Sequence, residues 1–309
     1  MNPPILKHII KSFLLILLIS FVSDKLVFFL FNKISDQVYT GQSIGKVNHY
    51  LEIKDSLDFI VFGSSRANHN INPIKISENS FNMGMDGRKL AYSATLIKLL
   101  PDKKKQTVLL HIDPEYAFDT DYIGDDITAL SPKYNRNTTI KNEIDKLGQN
   151  NILQRFYWSI GYNNAVLGIV KNYLQPNYDY KTYSGYDPIY VSDNQREIFE
   201  NILNKGEKSK DCESQYTLNT IYNSYLDEIK IFCKTRNKTL ILFTSPRLID
   251  GCKDDNLKLK QILKDKNLEY YDFTDFLKEN KNLDNWKDRG HLSDKGAELF
   301  TEEIKKLLK

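Results

Sequence analysis

Two short segments near opposite ends of this 309-residue chain carry side chains suited to nucleophilic catalysis. The first is Gly63-Ser64-Ser65-Arg66, which closes the apolar run beginning at Leu57. Glycine permits a sharp turn there, and a serine hydroxyl at such a turn can project beyond the strand end. The second is Asp288-Arg289-Gly290-His291, an Asp-x-x-His pair within Trp286–Leu292. That spacing on a turn lets the carboxylate reach the neighbouring imidazole, fix its tautomer and support the imidazolium formed when histidine takes a serine proton. Ser64 and Ser65 are adjacent, so one turn cannot aim both into the same crevice. Ser65, which opens the following helix, is the one expected to face the strand ends, with its own N–H aimed at a developing oxyanion. Ser64 is expected to hydrogen-bond locally.

Both segments need a frame that brings them together. Leu57–Ser65, Ser80–Met83, Thr107–Ile112, Lys238–Phe243 and Leu268–Tyr271 read as buried strands, each bounded by turn residues. Lys89–Leu100, Gln215–Lys234, Leu257–Asp265 and Asp294–Leu308 read as helices. The last carries Ala297, Phe300, Ile304 and Leu307 on one face, with Ser293 placed to cap it. Apolar strands alternating with helices indicate an α/β fold, a parallel sheet covered on both faces. In such a sheet, chemistry sits at the carboxyl ends of the strands. The rhythm breaks between about 116 and 211, which holds 11 of the 19 tyrosines. So aromatic an insertion reads as a cap or substrate-binding region.

The N-terminus reads as a membrane anchor. Ser12–Phe31 is about 20 residues, or roughly 30 Å of helix, and is apolar on all faces apart from Asp24 and Lys25. Phe21 would occupy the −3 position of a cleavage site after Ser23, and LVFFLF would remain on the mature end, so the span is expected to stay uncleaved. Lys7 and Lys11 precede it, which leaves the N-terminus cytoplasmic and everything after residue 32 outside. Residues 1–32 are then tip and anchor, 33–55 a stalk or surface helix, and 56–309 the α/β domain with its insertion. In an oxidising exterior, Cys212 and Cys252, both in polar loop sequence, are expected to bridge, and Cys233 to be a buried thiol. A charge balance of 43 basic against 40 acidic residues argues against a nucleic-acid partner.

The strand-GSS turn, Asn82-Met83-Gly84-Met85-Asp86-Gly87 after the second strand, and Asp288-x-x-His291 before the last helix together resemble the SGNH/GDSL hydrolase superfamily. The membrane anchor and the Gly-Ser-Ser-Arg wording resemble its cell-envelope branch, which includes alginate O-acetylation proteins and the D-alanyl transfer protein of teichoic acid synthesis. The match covers the soluble core but not the insertion. It implies a three-layer, flavodoxin-like parallel sheet, with Ser65 as nucleophile and Asp288 and His291 as its acid–base pair. It also implies an oxyanion hole built from the Ser65 and Gly87 N–H groups. Donors of that kind contribute about 3–4 kcal/mol each to transition-state stabilisation. One position departs from the pattern. The family places Gly-x-Asn after the third strand, where this chain reads His111-Ile112-Asp113-Pro114. An ionised Asp113 would repel an oxyanion, so it is expected to orient a sugar hydroxyl or Arg66 instead. Arg66 could anchor a carboxylate or phosphate, or form a structural salt bridge, and His69 could face the crevice. His111, inside an apolar strand, reads as a core histidine.

No GxSxG, GxGxxG or Walker loop is present, and Asp119–Asp125 fails as a calcium loop because Ile123 and Leu130 stand at ligand positions. Neither metal nor cofactor is expected. These residues point to an acyl esterase or O-acyltransferase working on an acylated carbohydrate of the cell envelope, beside the membrane and with a membrane acyl-donor protein as a candidate partner. The alternative is a non-catalytic glycan-binding or assembly protein on the same fold.

Overall fold

The computed structural model describes residues 3–204, 216–280 and 282–308. The chain divides into two compact units, one of residues 1–48 with 128–179 and the other of 49–127 with 180–309. The 116–211 insertion is therefore not one piece: its middle belongs with the N-terminal helix, and its two ends belong with the sheet.

The larger unit is α/β. Five parallel strands, β1 (Phe59–Phe62), β2 (Ser80–Asn82), β3 (Gln106–His111), β4 (Lys238–Thr244) and β5 (Glu269–Asp272), lie in the order 2-1-3-4-5. This is a common doubly wound order, with its switch point between β1 and β3. Strand side chains alternate between faces. Phe59 and Val61 join Leu109, Ile241 and Phe243 in one core with Trp286, Leu292, Phe300 and Ile304. Ile60 and Phe62 take the other face, where the Phe62 ring lies 5.8 Å from that of Tyr50. Each fully buried Ile, Val or Phe contributes roughly 1.5–3 kcal/mol. The helices of this unit are α3 (Ser65–Asn70), α4 (Leu90–Ile97), α5 (Pro114–Ala117), α8 (Asp193–Asn204), α9 (Thr220–Thr235), α10 (Lys253–Asp265) and α11 (Asp294–Leu307).

The smaller unit begins with α1 (Pro3–Ser35), a helix of which residues 4–35 are long and apolar enough to cross a membrane. α6 (Thr138–Lys146) and α7 (Val166–Leu174) lie in the same unit. Its core joins Phe28, Val38, Ile44, Tyr162 and Ile169. The stretch 33–55, expected as a stalk or surface helix, instead carries α2 (Ile44–Ile53), whose Ile44, Val47 and Tyr50 are buried. Its apolar residues recur at helical spacing, so the helix has a face to bury. The expected Cys212–Cys252 bridge involves Cys212, which lies outside the described residues. Cys233 is a buried free thiol, as its position on an apolar helix face requires.

Candidate active site

Ser65 and His291 stand 226 residues apart in the chain and meet in space. The Ser65 hydroxyl lies 2.8 Å from His291 Nε2. On the far side of the ring, His291 Nδ1 lies 3.0 Å from each Asp288 carboxylate oxygen. A carboxylate only accepts, so Nδ1 carries the proton and Nε2 is left to accept the serine proton. Burial works against the Asp288 charge, but the His291 ring and the Gly290 and His291 amides, each 2.9 Å from Oδ1, outweigh it. The Asp288 carboxyl is held down to about 2.

Backbone constraints fix both halves. Gly63 adopts φ +142°, and a Cβ there would come within 2.5 Å of His111 Cβ and 3.0 Å of Ala67 Cβ. The turn before the serines therefore requires glycine. Ser64 caps α3 through its side chain, accepting from the Arg66 amide, and lies 3.3 Å from His111 Nδ1. The two serines thus diverge: one belongs to the frame, the other faces the imidazole. Asn82 holds α3 from β2, donating to the carbonyls of Ala67 and Ile71 at 2.7 and 2.8 Å. Gly84 lets the following loop pass, since a Cβ there would meet the Asn68 nitrogen at 2.5 Å. On the histidine side, the Lys287 amide donates to the His291 carbonyl and the Ser293 amide to the Asn285 carbonyl, both at 2.9 Å. Asn70 ties the halves together, accepting from the Leu292 amide at 3.2 Å and donating to Ser245 at 2.7 Å.

Asp113 pairs with Arg66, one of the two partners expected of it, and also with Arg247. It is 3% exposed, and its two oxygens are taken by Arg66 and Arg247, each at 2.5 Å. Burial disfavours its charge, yet the two guanidiniums hold its carboxyl below the ordinary value. The negative charge that would trouble an oxyanion is therefore matched by two positive ones, and Asp113 acts on the site through Arg66 rather than on a ligand. Arg66 in turn lies against Gly290, where a Cβ would come 3.1 Å from its guanidinium. It joins the Ser65 helix to the His291 turn and is a structural salt bridge first. His69 is likewise engaged at both ring nitrogens: Nδ1 lies 2.6 Å from the Asp187 carbonyl and Nε2 3.2 Å from Asp86. Burial lowers its proton affinity, but those oxygens raise it further, and the net shift is upward. Its ring lies 6.2 Å from that of His291, so it walls the site instead of offering a free nitrogen.

Gly87 sits at φ +69° in an exposed turn with open space around its Cα. Its N–H makes no hydrogen bond among the described residues. His111 is buried, and burial depresses its basicity to about 3 although Asp113 pulls the other way. Sequence reasoning missed Arg247 and Asn70, which sit in no motif, and gave Asn82 no role of its own. The Asn82 of the quoted Asn82–Gly87 stretch was the available signal.

Among the described residues, clefts of ligand size open in this unit. One, about 560 Å³, is lined by Arg247, Leu248, Asp250, Leu277 and Trp286 among others. The other, about 450 Å³, carries Glu115, Asp119, Asp121, Asp250 and Asp255 with Arg247. Burial and the nearby Asp250 carboxylate push Asp255 up to about 6. Neither cleft is lined by Ser65 or His291. The first adjoins the His291 turn, because the Leu248 amide donates to the Arg289 carbonyl at 2.9 Å. No protein-family model matches the sequence, and a search of the curated proteins returns no relative.

Proposed function

We propose that this chain is a membrane-anchored acyl esterase or O-acyltransferase acting on an acylated cell-envelope carbohydrate through a serine acyl-enzyme. The reading rests above all on the Ser65 hydroxyl lying 2.8 Å from His291 Nε2, with Asp288 3.0 Å behind the ring. In the first half-reaction Ser65 Oγ attacks an acyl carbonyl and His291 Nε2 takes its proton. Asp288 supports the imidazolium, and the Ser65 and Gly87 N–H groups receive the oxyanion. Collapse expels the alcohol, which takes the proton from His291, and leaves the acyl-serine. Water then gives hydrolysis, and a sugar hydroxyl gives transfer. Lys7 and Lys11 before the apolar helix support an N-terminus on the cytoplasmic side and the α/β unit outside.

A fluorophosphonate tests the mechanism. It should label Ser65 in the full chain, and Ser65→Ala should abolish labelling and turnover. Ser64→Ala should cost far less. Labelling at Ser64, or full activity in Ser65→Ala, overturns the mechanism. A folded wild-type protein that resists labelling favours the alternative, a non-catalytic glycan-binding or assembly protein. One observation leans that way: position 113 offers no side-chain donor to an oxyanion, since its carboxylate is spent on Arg66 and Arg247.

A further inference from the structure

In the smaller unit, the segment after α6 runs beside the outer part of the apolar helix. The Trp158 and Ser159 amides donate to Asp24 at 2.8 and 3.0 Å, and the Ser159 hydroxyl adds a third bond at 2.5 Å. Ser20 lies 3.1 Å from the Tyr157 hydroxyl, and the Lys25 ammonium sits 4.2 Å over the Trp158 ring. Residues 157–159 are therefore level with residues 20–25 of α1, inside the apolar run Ser12–Phe31. The one acidic side chain of that run is satisfied from this segment, which is what a low-dielectric surrounding demands.

The same segment presents an apolar surface outward. Ile152, Leu153 and Phe156 are 67%, 54% and 59% exposed. In α7, Leu167, Val170 and Leu174 are 86%, 40% and 70% exposed, at i, i+3 and i+7 on one face. The opposite face of α7 buries Ile169. A helix apolar on both its inner and outer faces is not built for water. Exposed Arg155 and Lys171 flank the patch, with Trp158 and Tyr157 beside α1. Long cationic side chains of this kind reach out to headgroup level from within the span. On α1 itself the free face stays apolar past Asp24, with Leu26 67% and Phe29 60% exposed.

We infer that residues 152–174 form a second membrane-contacting element, seated in the leaflet that α1 meets at its C-terminal end, with lipid as the occupant of the patch. The patch starts beside the apolar helix at residues 20–25 and runs past its C-terminal end, where Asn172 lies 3.2 Å from Thr40, and it is flanked by positive charge suited to anionic headgroups. The inference rests on α1 spanning the bilayer, as the proposed function has it. The smaller unit is then a wedge held by one spanning helix and one surface-lying segment.

The full chain in vesicles of phosphatidylcholine and phosphatidylglycerol tests this by spin-label accessibility. Nitroxides go on Leu153→Cys, Leu167→Cys and Leu174→Cys, with Leu18→Cys in α1 and Ile231→Cys on the exposed face of α9 as controls. All three patch labels should collide with oxygen several-fold more than with a water-soluble nickel chelate, as Leu18→Cys does, and Ile231→Cys should show the reverse. Patch labels that prefer nickel while Leu18→Cys prefers oxygen overturn the inference and assign the patch to a protein partner. A Leu18→Cys label that prefers nickel instead overturns the spanning reading, and the inference with it. On the unsubstituted chain, a lipid with a photoactivatable carbene near its headgroup should label peptides from 150–175. Labelling confined to α1 overturns the inference without any variant.

Discussion

The buried imidazole beneath the Gly63–Ser65 turn should make stability depend on pH in a calculable way. His111 is 5% exposed, packs 5.3 Å from the Phe243 ring, and titrates at about 3 in the fold against an ordinary 6.5. The unfolded chain therefore takes up a proton between pH 7 and pH 4 that the folded chain refuses. A base with a depressed folded value stabilises fully above its unfolded value, and that stability drains away as pH falls. At about 1.4 kcal/mol per pH unit below 6.5, the loss from pH 7 to pH 4 comes to about 3 kcal/mol. The charged or titratable groups acting on the ring are Asp113, Arg66, Arg247 and His291. Asp113 is held below 3.8, so its own contribution is lost only at still lower pH. Asp255 titrates near 6 and acts with opposite sign, so an absolute profile would mix the two. Comparison with His111→Gln, which cannot titrate, isolates the ring. Urea unfolding of the full chain in detergent, followed by near-ultraviolet circular dichroism at pH 7, 5.5 and 4, measures both. Wild type should lose about 3 kcal/mol more than His111→Gln across that range. Parallel profiles would refute a neutral, proton-refusing His111.

Four further outcomes are measurable. Gly63→Ala should cost more than about 2 kcal/mol of stability, because φ +142° and the 2.5 Å approach to His111 leave no room for a Cβ. Gly87→Ala, at φ +69° in open space, should cost only about 1 kcal/mol and keep its N–H, and thermal melts of the two variants compare them directly. Asp113→Ala should destabilise by roughly 3–5 kcal/mol by leaving two guanidiniums facing each other, and chemical denaturation that finds less than about 1 kcal/mol removes its bridging role. Non-reducing peptide mapping should recover Cys212 and Cys252 linked and Cys233 as a free thiol; free Cys212 and Cys252 would refute the bridge.

The sheet was legible because its strands are short apolar runs with clear stops. Thr107–Ile112 was expected where Gln106–His111 is found, and Lys238–Phe243 where Lys238–Thr244 is found. α10 begins at Lys253, four residues before the expected Leu257, because its first turn is charged and carries no apolar period. A helix opening at Ser65 was expected, but its end at Asn70 was not, because the six residues of α3 include two asparagines and a histidine, poor helix formers alone. It is held by Asn82 and Asn70, contacts with partners far along the chain. Ser65, Asp288 and His291 could be named from type and local spacing. The Arg66–Asp113–Arg247 bridge could not, since Arg247 lies 134 residues from Asp113 and only the β3–β4 pairing brings them together. The division of the 116–211 insertion between two units was equally out of reach, because composition reports what a segment is made of and not what it packs on.

The bond from the Trp158 amide to Asp24 has a consequence for biogenesis. Its partners are separated by 134 residues, so under the proposed reading of α1 as the anchor the helix enters the membrane long before the groups that satisfy its carboxylate have been made. At ordinary elongation rates the delay is on the order of ten seconds. During that interval Asp24 has only Lys25, its neighbour, as a partner within the helix. The nascent chain must therefore pass through a stage in which its anchor is metastable, a window in which a membrane chaperone or a quality-control protease would meet it. Ribosome stalling before residue 158 should prolong that window, and release past residue 159 should close it.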